Sequence, residues 1–135
     1  FYDAGRIVNP LGAKKQVEGA VVMGLGYALT EEFLMDEGIP INGNLTNYLI
    51  PTIVDAPPVV ECTFVGKPVP FGELGARGLA EPALVPTAPA ITNAIYNLTG
   101  ARVLRVPATP ERVLEAIEGS GDYGVNRHSG EDEES

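Results

Sequence analysis

KQVEGAVVMGLGYALTEEF, from Lys15 to Phe33, is the longest stretch with one clear period. Val17, Ala20, Val21, Gly24, Leu25 and Ala28 recur at i, i+3, i+4, i+7, i+8 and i+11, which is the spacing of one helical face. A helix over roughly these residues is therefore predicted. Gly19, Gly24 and Gly26 oppose it, each at ~1 kcal/mol relative to alanine in a helix interior. A helix that tolerates three glycines needs something to approach its backbone closely. Another helix or a sheet would do, and so would a flat cofactor; the spacing leaves both open.

Before this helix, DAGRIVNP (Asp3 to Pro10) reads as a turn-rich lead-in, with Asp3, Gly5 and the pair Asn9-Pro10. After it, MDEGIPINGNLTNYLIPTIVDAPP reads as loop with short extended pieces, and GIPINGN as a turn or hairpin. VVECTFVG (Val59 to Gly66) alternates weakly among strong β formers and predicts a strand. Ala90, Ile91, Ala94, Ile95 and Leu98 form a helical stripe that Gly100 closes. Pro86 and Pro89 exclude a regular helix running all the way from Pro82, so a single turn after Glu81 and then a helix capped at Thr87 are predicted. ARVLRVP (Ala101 to Pro107) reads as a strand. TPERVLEAIEG reads as a short helix with Thr109 as N-cap, Pro110 at its first position, Glu111 in the first turn and Gly119 beyond its end. The class is α/β, with mixed strands and helices joined by long glycine- and proline-rich loops. The folded part is expected over residues 1–118, and residues 119–135 are expected to be a polar, acidic, mobile tail.

The chain is long enough for one domain with a core, and at 44% apolar it is not of disordered composition. Its formal net charge of −9 argues against a nucleic-acid partner, although much of it lies in the terminal GEDEES. No apolar run approaches the ~18–20 residues of a membrane span. The single Cys62 excludes an internal disulfide framework and a thiolate cluster, which points to a cytoplasmic setting. The two N-x-T sequons at Asn44 and Asn97 carry no weight there. His128 lies in the tail without a second shell and reads as a solvated bystander. No metal site built from protein side chains is expected.

FGELGARGLAEPALVPTAP (Phe71 to Pro89) poses a chemical question. Gly72, Gly75 and Gly78 follow G-x-x-G-x-x-G, which is neither the dinucleotide fingerprint nor a P-loop. Glu81 ends that run directly before Pro82. It reads equally as a cap on the following turn and as a general base on a rigid turn, with glycines letting a ligand come near. Glu73 is a second carboxylate, but loop spacing fixes no distance between the two.

Taken together, DAGRIVNP, QVEGAVVMGLGYALTEE, FGELGARGLAEPALVPTAPAITNAIYNLTG and LRVPATPERV resemble, in order and spacing, the C-terminal part of the molybdenum-binding large subunit of the xanthine dehydrogenase and aldehyde oxidase family. The resemblance covers roughly Phe1 to Glu118 and implies a fragment of a larger polypeptide or one subunit of a split version. It implies a C-terminal segment of a molybdopterin-binding domain, with a molybdenum–pyranopterin in its simple or cytosine dinucleotide form. It implies a cofactor-binding amide at Gln16 and close approach at Gly19, with Gly78 and Ala80 also bordering the cofactor. Glu81 becomes the catalytic base in a water-derived hydroxylation of aldehydes or N-heteroaromatic compounds. Ala80 stands where the family pattern has glycine. The [2Fe-2S] centres and FAD are expected on other segments or subunits, since one cysteine cannot build a cluster. The partners implied are the rest of the large subunit, iron–sulfur and flavin subunits, and a small-molecule substrate. The competing reading is a catalytically silent structural or assembly fragment in which Glu81 is only a cap.

Overall fold

Asn9 and Pro10 start the first helix. The computed structural model describes residues 2–120, and in it α1 spans Pro10–Leu29, beginning earlier than its apolar spacing indicates. The Asn9 side chain accepts the Gly12 N–H at 2.9 Å. Pro10 occupies a position whose N–H would have no intrahelical partner. What reads as a turn is a cap followed by its proline. At the other end the Thr30 and Glu31 N–H groups both bond the Gly26 carbonyl, at 2.9 and 2.8 Å, and the helix stops.

The predicted face of α1 turns inward, with Ala20, Gly24 and Ala28 buried and α2 (Thr87–Thr99) packed against it. A methyl at Gly24 would lie 2.5 Å from Thr87 Cβ. At Gly26 it would collide with the Glu31 carboxylate and stand 2.6 Å from Pro51 Cδ. Close packing of protein on protein accounts for these two glycines.

The hairpin comes slightly before the segment that suggested it. β1 (Met35–Asp36) pairs antiparallel with β2 (Ile39–Pro40), with Met35 opposite Pro40 and Asp36 opposite Ile39. Glu37 and Gly38 make the two-residue turn at φ 44° and 84°, the primed geometry that matches strand twist. Asn42, buried, then fixes the exit from α1. Its amide donates to the Glu32 carbonyl at 2.5 Å, and its oxygen accepts the Leu34 N–H at 2.8 Å.

Neither predicted strand forms. Residues 59–66 and 101–107 carry no strand, because β formers need a paired neighbour and no ladder reaches them among the described residues. The cap of α2 also differs. Pro86 holds the cap position without a side-chain bond, and Thr87 is the first helical residue. A turn-by-turn lead-in (Leu84 N–H to Glu81 at 2.9 Å, Thr87 N–H to Leu84 at 3.1 Å) puts the Ala83 carbonyl within reach. The Thr87 hydroxyl therefore donates backward, at 3.2 Å, instead of accepting at the cap. Gly100 closes the helix as predicted, left-handed at φ 73°, with its N–H on the Tyr96 carbonyl at 2.7 Å.

α3 (Pro110–Ser120) begins where predicted and runs on through Gly119. Thr109 Oγ1 accepts the Arg112 N–H at 3.4 Å. The helix is fastened to the end of α1. The Ala108 N–H bonds the Ala28 carbonyl at 2.6 Å, and Glu32 takes Arg112 at 2.5 Å and Arg105 at 2.8 Å. The rest of the expected tail, His128 included, lies outside the described residues.

The chain is thus an α/β segment with three helices and one small sheet among its described residues. Among the described residues the buried apolar set is six alanines (Ala4, Ala20, Ala28, Ala88, Ala101 and Ala108) and Val69. No large side chain is fully buried among the described residues, while Leu104 and Leu98 are 92% and 87% exposed. The length allows a core, but these residues build only a thin one. No helix of the described residues is long and apolar enough to cross a membrane.

Candidate functional site

The glycine loop is held by a short antiparallel pairing with the chain's beginning. Gly5 opposes Ala76, the Arg6 N–H bonds the Gly75 carbonyl at 2.9 Å, and the Arg77 N–H bonds the Ala4 carbonyl at 2.8 Å. Gly75 also receives the Val69 N–H at 3.0 Å. Its backbone is left-handed at φ 61°, and a methyl there would meet Pro68 Cβ at 3.0 Å and the Val69 oxygen at 3.1 Å. Glycine at 75 is thus demanded by the loop itself. Gly78 is different. Its φ is not left-handed, and nothing lies within 4 Å of where its Cβ would be, although its carbonyl accepts the Tyr2 hydroxyl at 2.9 Å.

From this fixed loop, Ala80 meets α1. Gln16 Nε2 donates to the Ala80 carbonyl at 3.3 Å, joining two predicted site residues that stand far apart in sequence. Ala80 is not in the left-handed region, so its methyl brings no backbone strain. Gly19 lies three residues beyond Gln16, on the same side of the helix. It is exposed, with nothing within 4 Å of its Cβ position. Protein packing explains Gly24 and Gly26 but leaves Gly19 open.

Glu81 follows directly. It is exposed, and its backbone carbonyl accepts the Leu84 N–H. Its carboxylate makes no hydrogen bond or ion pair with any described residue. A cap must accept a backbone N–H; this one does not. The turn over 82–86 holds by its own backbone bonds.

Two cavities flank this strand of loop. The smaller, about 290 Å³, is bordered by Gln16, Ala80, Arg6 and Arg77. The larger, about 880 Å³, is mainly apolar and runs between Val17, Val21 and Leu25 of α1, Ile91 of α2 and Phe64. Leu79 lines both, and Glu81 borders neither. Among the described residues no group of three His, Cys, Asp or Glu could hold a metal ion. Sequence reading missed Tyr2, Arg6 and Arg77. The signal was a small pair before arginine, Ala4-Gly5-Arg6 and Gly75-Ala76-Arg77, seen twice.

Comparison with known proteins gives the same direction. The family model of the molybdopterin cofactor-binding domain matches residues 1–57. The putative xanthine dehydrogenase molybdenum-binding subunit of Escherichia coli K12 is 40% identical over 122 residues, which is 89% of this chain and 16% of that protein. The chain matches a segment of the molybdenum-binding large subunits of molybdenum hydroxylases.

Solved structures of molybdenum hydroxylases superpose on the same segment. Quinoline 2-oxidoreductase from Pseudomonas putida 86 matches with a TM-score of 0.77 at 29% identity, over 86% of this chain and 15% of that one. The aldehyde oxidoreductase of Desulfovibrio gigas matches with a TM-score of 0.75 at 36% identity, over 86% of this chain and 12% of that one. The chain therefore spans about one sixth or less of the length of these molybdenum hydroxylase relatives.

Proposed function

We propose that this chain supplies the catalytic base and one wall of the cofactor cradle in a molybdenum-dependent hydroxylase. Its substrates are aldehydes or N-heteroaromatic, purine-like compounds, and the oxygen added to them comes from water. The observation that carries this is the Glu81 carboxylate, exposed and without a partner among the described residues. It directly follows the Ala80 carbonyl held by Gln16.

The residues fit a flat polar group. At 3.3 Å the Gln16–Ala80 bond is long, so the carboxamide is readily shared with a ligand. Its oxygen makes no hydrogen bond with a described residue and remains able to accept one. Gly19 and Gly78 present bare backbone, with open space over both. Gln16 would hold the edge of a pyranopterin, with Gly19 and Gly78 letting it approach and Ala80 fixing the turn. When bound, the molybdenum–pyranopterin supplies the two-electron redox chemistry of the hydroxylation. Glu81 takes the proton released as water becomes a nucleophile, and the 82–86 turn, with Pro82 at its start, limits where that carboxylate can point. Iron–sulfur and flavin groups that would accept the electrons would sit on the remaining segments or on partner subunits, since the one cysteine of this chain cannot build a cluster.

The test is Glu81→Gln in the complete assembly. It keeps shape and hydrogen-bonding capacity but removes the proton acceptor. Turnover should fall about 10²–10⁴-fold, with molybdenum content and melting temperature unchanged. Turnover close to wild type at full metal content would sink the proposal.

A further inference from the structure

A chain of net charge −9 lines its smaller cavity with two arginines, Arg6 and Arg77, and with no carboxylate. Pairing register puts them there. With Gly5 opposite Ala76, Arg6 and Arg77 are diagonal neighbours, and such neighbours share a face. Arg102 lies over the Tyr96 ring and Lys67 has no ion pair with a described residue, but the four other described cations are neutralised locally: Arg105 and Arg112 both pair with Glu32, and Lys14 and Lys15 with Glu18. Arg6 and Arg77 are not. The Arg6 side chain makes no hydrogen bond or ion pair with a described residue. Arg77 only rests over the Phe71 ring, 5.9 Å from its centroid, near the ~6 Å limit of cation–π attraction.

Size narrows the ligand. About 290 Å³ is at the small end of ligand pockets, room for a charged end group and not for a whole tricyclic cofactor. Arginine presents a planar fork of donors that matches phosphate oxygens. Gln16 borders the same cavity and is the residue proposed to hold the pterin. We infer that this cavity takes the phosphate-bearing end of the pyranopterin, with Arg6 and Arg77 as its charge partners. The inference rests on the cradle reading above and adds two binding residues to it.

The experiment compares wild type, Arg6→Gln/Arg77→Gln and Arg6→Lys/Arg77→Lys in the full assembly. Bound molybdenum and pterin fluorescence are followed after dilution at low and high salt. Removing charge-assisted contacts should speed cofactor release about tenfold or more at low salt. The lysine pair should keep most of the retention, and added salt should bring wild type toward the glutamine pair. Inorganic phosphate at matched ionic strength should slow cofactor uptake by the apo assembly in wild type and not in the glutamine pair. If the glutamine pair does not fold, the wild-type salt series decides: release that salt does not quicken overturns the inference. If the glutamine pair retains cofactor like wild type while Gln16→Ala loses it, the inference falls and the cradle stands. A wild-type assembly that binds no molybdenum overturns both.

Discussion

Adding one methyl group at Gly19 and at Gly24 should have opposite effects on the same helix. At Gly19 nothing lies within 4 Å, so alanine should only remove the glycine penalty, raising stability by ~1 kcal/mol. The same methyl would stand beside Gln16 where the pterin is proposed to lie, so cofactor retention should drop as melting temperature rises. At Gly24 the methyl would sit 2.5–2.8 Å from three Thr87 atoms. Overpacking of that kind typically costs ~1–3 kcal/mol. Thermal melts and molybdenum content measured on both variants decide the matter; a Gly19→Ala protein that keeps its cofactor normally would remove Gly19 from the proposed cradle. Gln16→Ala separates fold from cradle in another way. Its bond to Ala80 is exposed and long, so the melt should barely move. Cofactor occupancy under dilution should weaken by ~1–3 kcal/mol, the usual cost of leaving a polar partner unpaired.

At the scale of elements, Glu32 ties the end of α1 to α3. The Arg112 hydrogen bond, with Arg105 adding to it, holds its carboxyl below the ordinary carboxylate value of 4.5. A depressed folded-state pKa adds stability above the unfolded value, and this is lost as pH falls through the folded one. Acidification below about 4.5 should therefore loosen α3 in wild type, and Glu32→Gln should lack that part of the acid limb. The difference between their melting curves against pH is the measurement; parallel curves would mean the pair contributes nothing. Much of this layer is legible in sequence. The period of α1, the Thr109 start of α3 and the Gly100 stop of α2 are local signals, and local chemistry decides them. Asn9-Pro10 was misleading because the same pair opens turns and helices. Residues 59–66 and 101–107 have β composition, yet a strand exists only when another strand pairs with it. The Gln16–Ala80 contact joins distant segments, so spacing could name its members only through resemblance. That Glu81 caps nothing needed coordinates altogether.

For the whole molecule, the exposure of Leu98, Leu104, Ile53 and Val54 has a direct consequence. Large apolar side chains at 87–92% exposure need covering, and the relatives are six or more times longer than the segment they share with this chain. Expressed alone, the chain should bind hydrophobic dyes, associate, and neither hold molybdenum nor turn over. Stoichiometric metal with turnover from the isolated chain would defeat that. The alanine core has a further, calorimetric meaning. Heat capacity of unfolding grows with apolar area exposed, at about 0.45 cal/K/mol per Å², and methyl groups have little area to give. Unfolding this segment on its own should show a shallow, nearly linear dependence of stability on temperature, without a pronounced dome. The curvature should appear only once neighbouring segments cover Leu98 and Leu104, so how this stretch responds to heat and cold is set by what surrounds it.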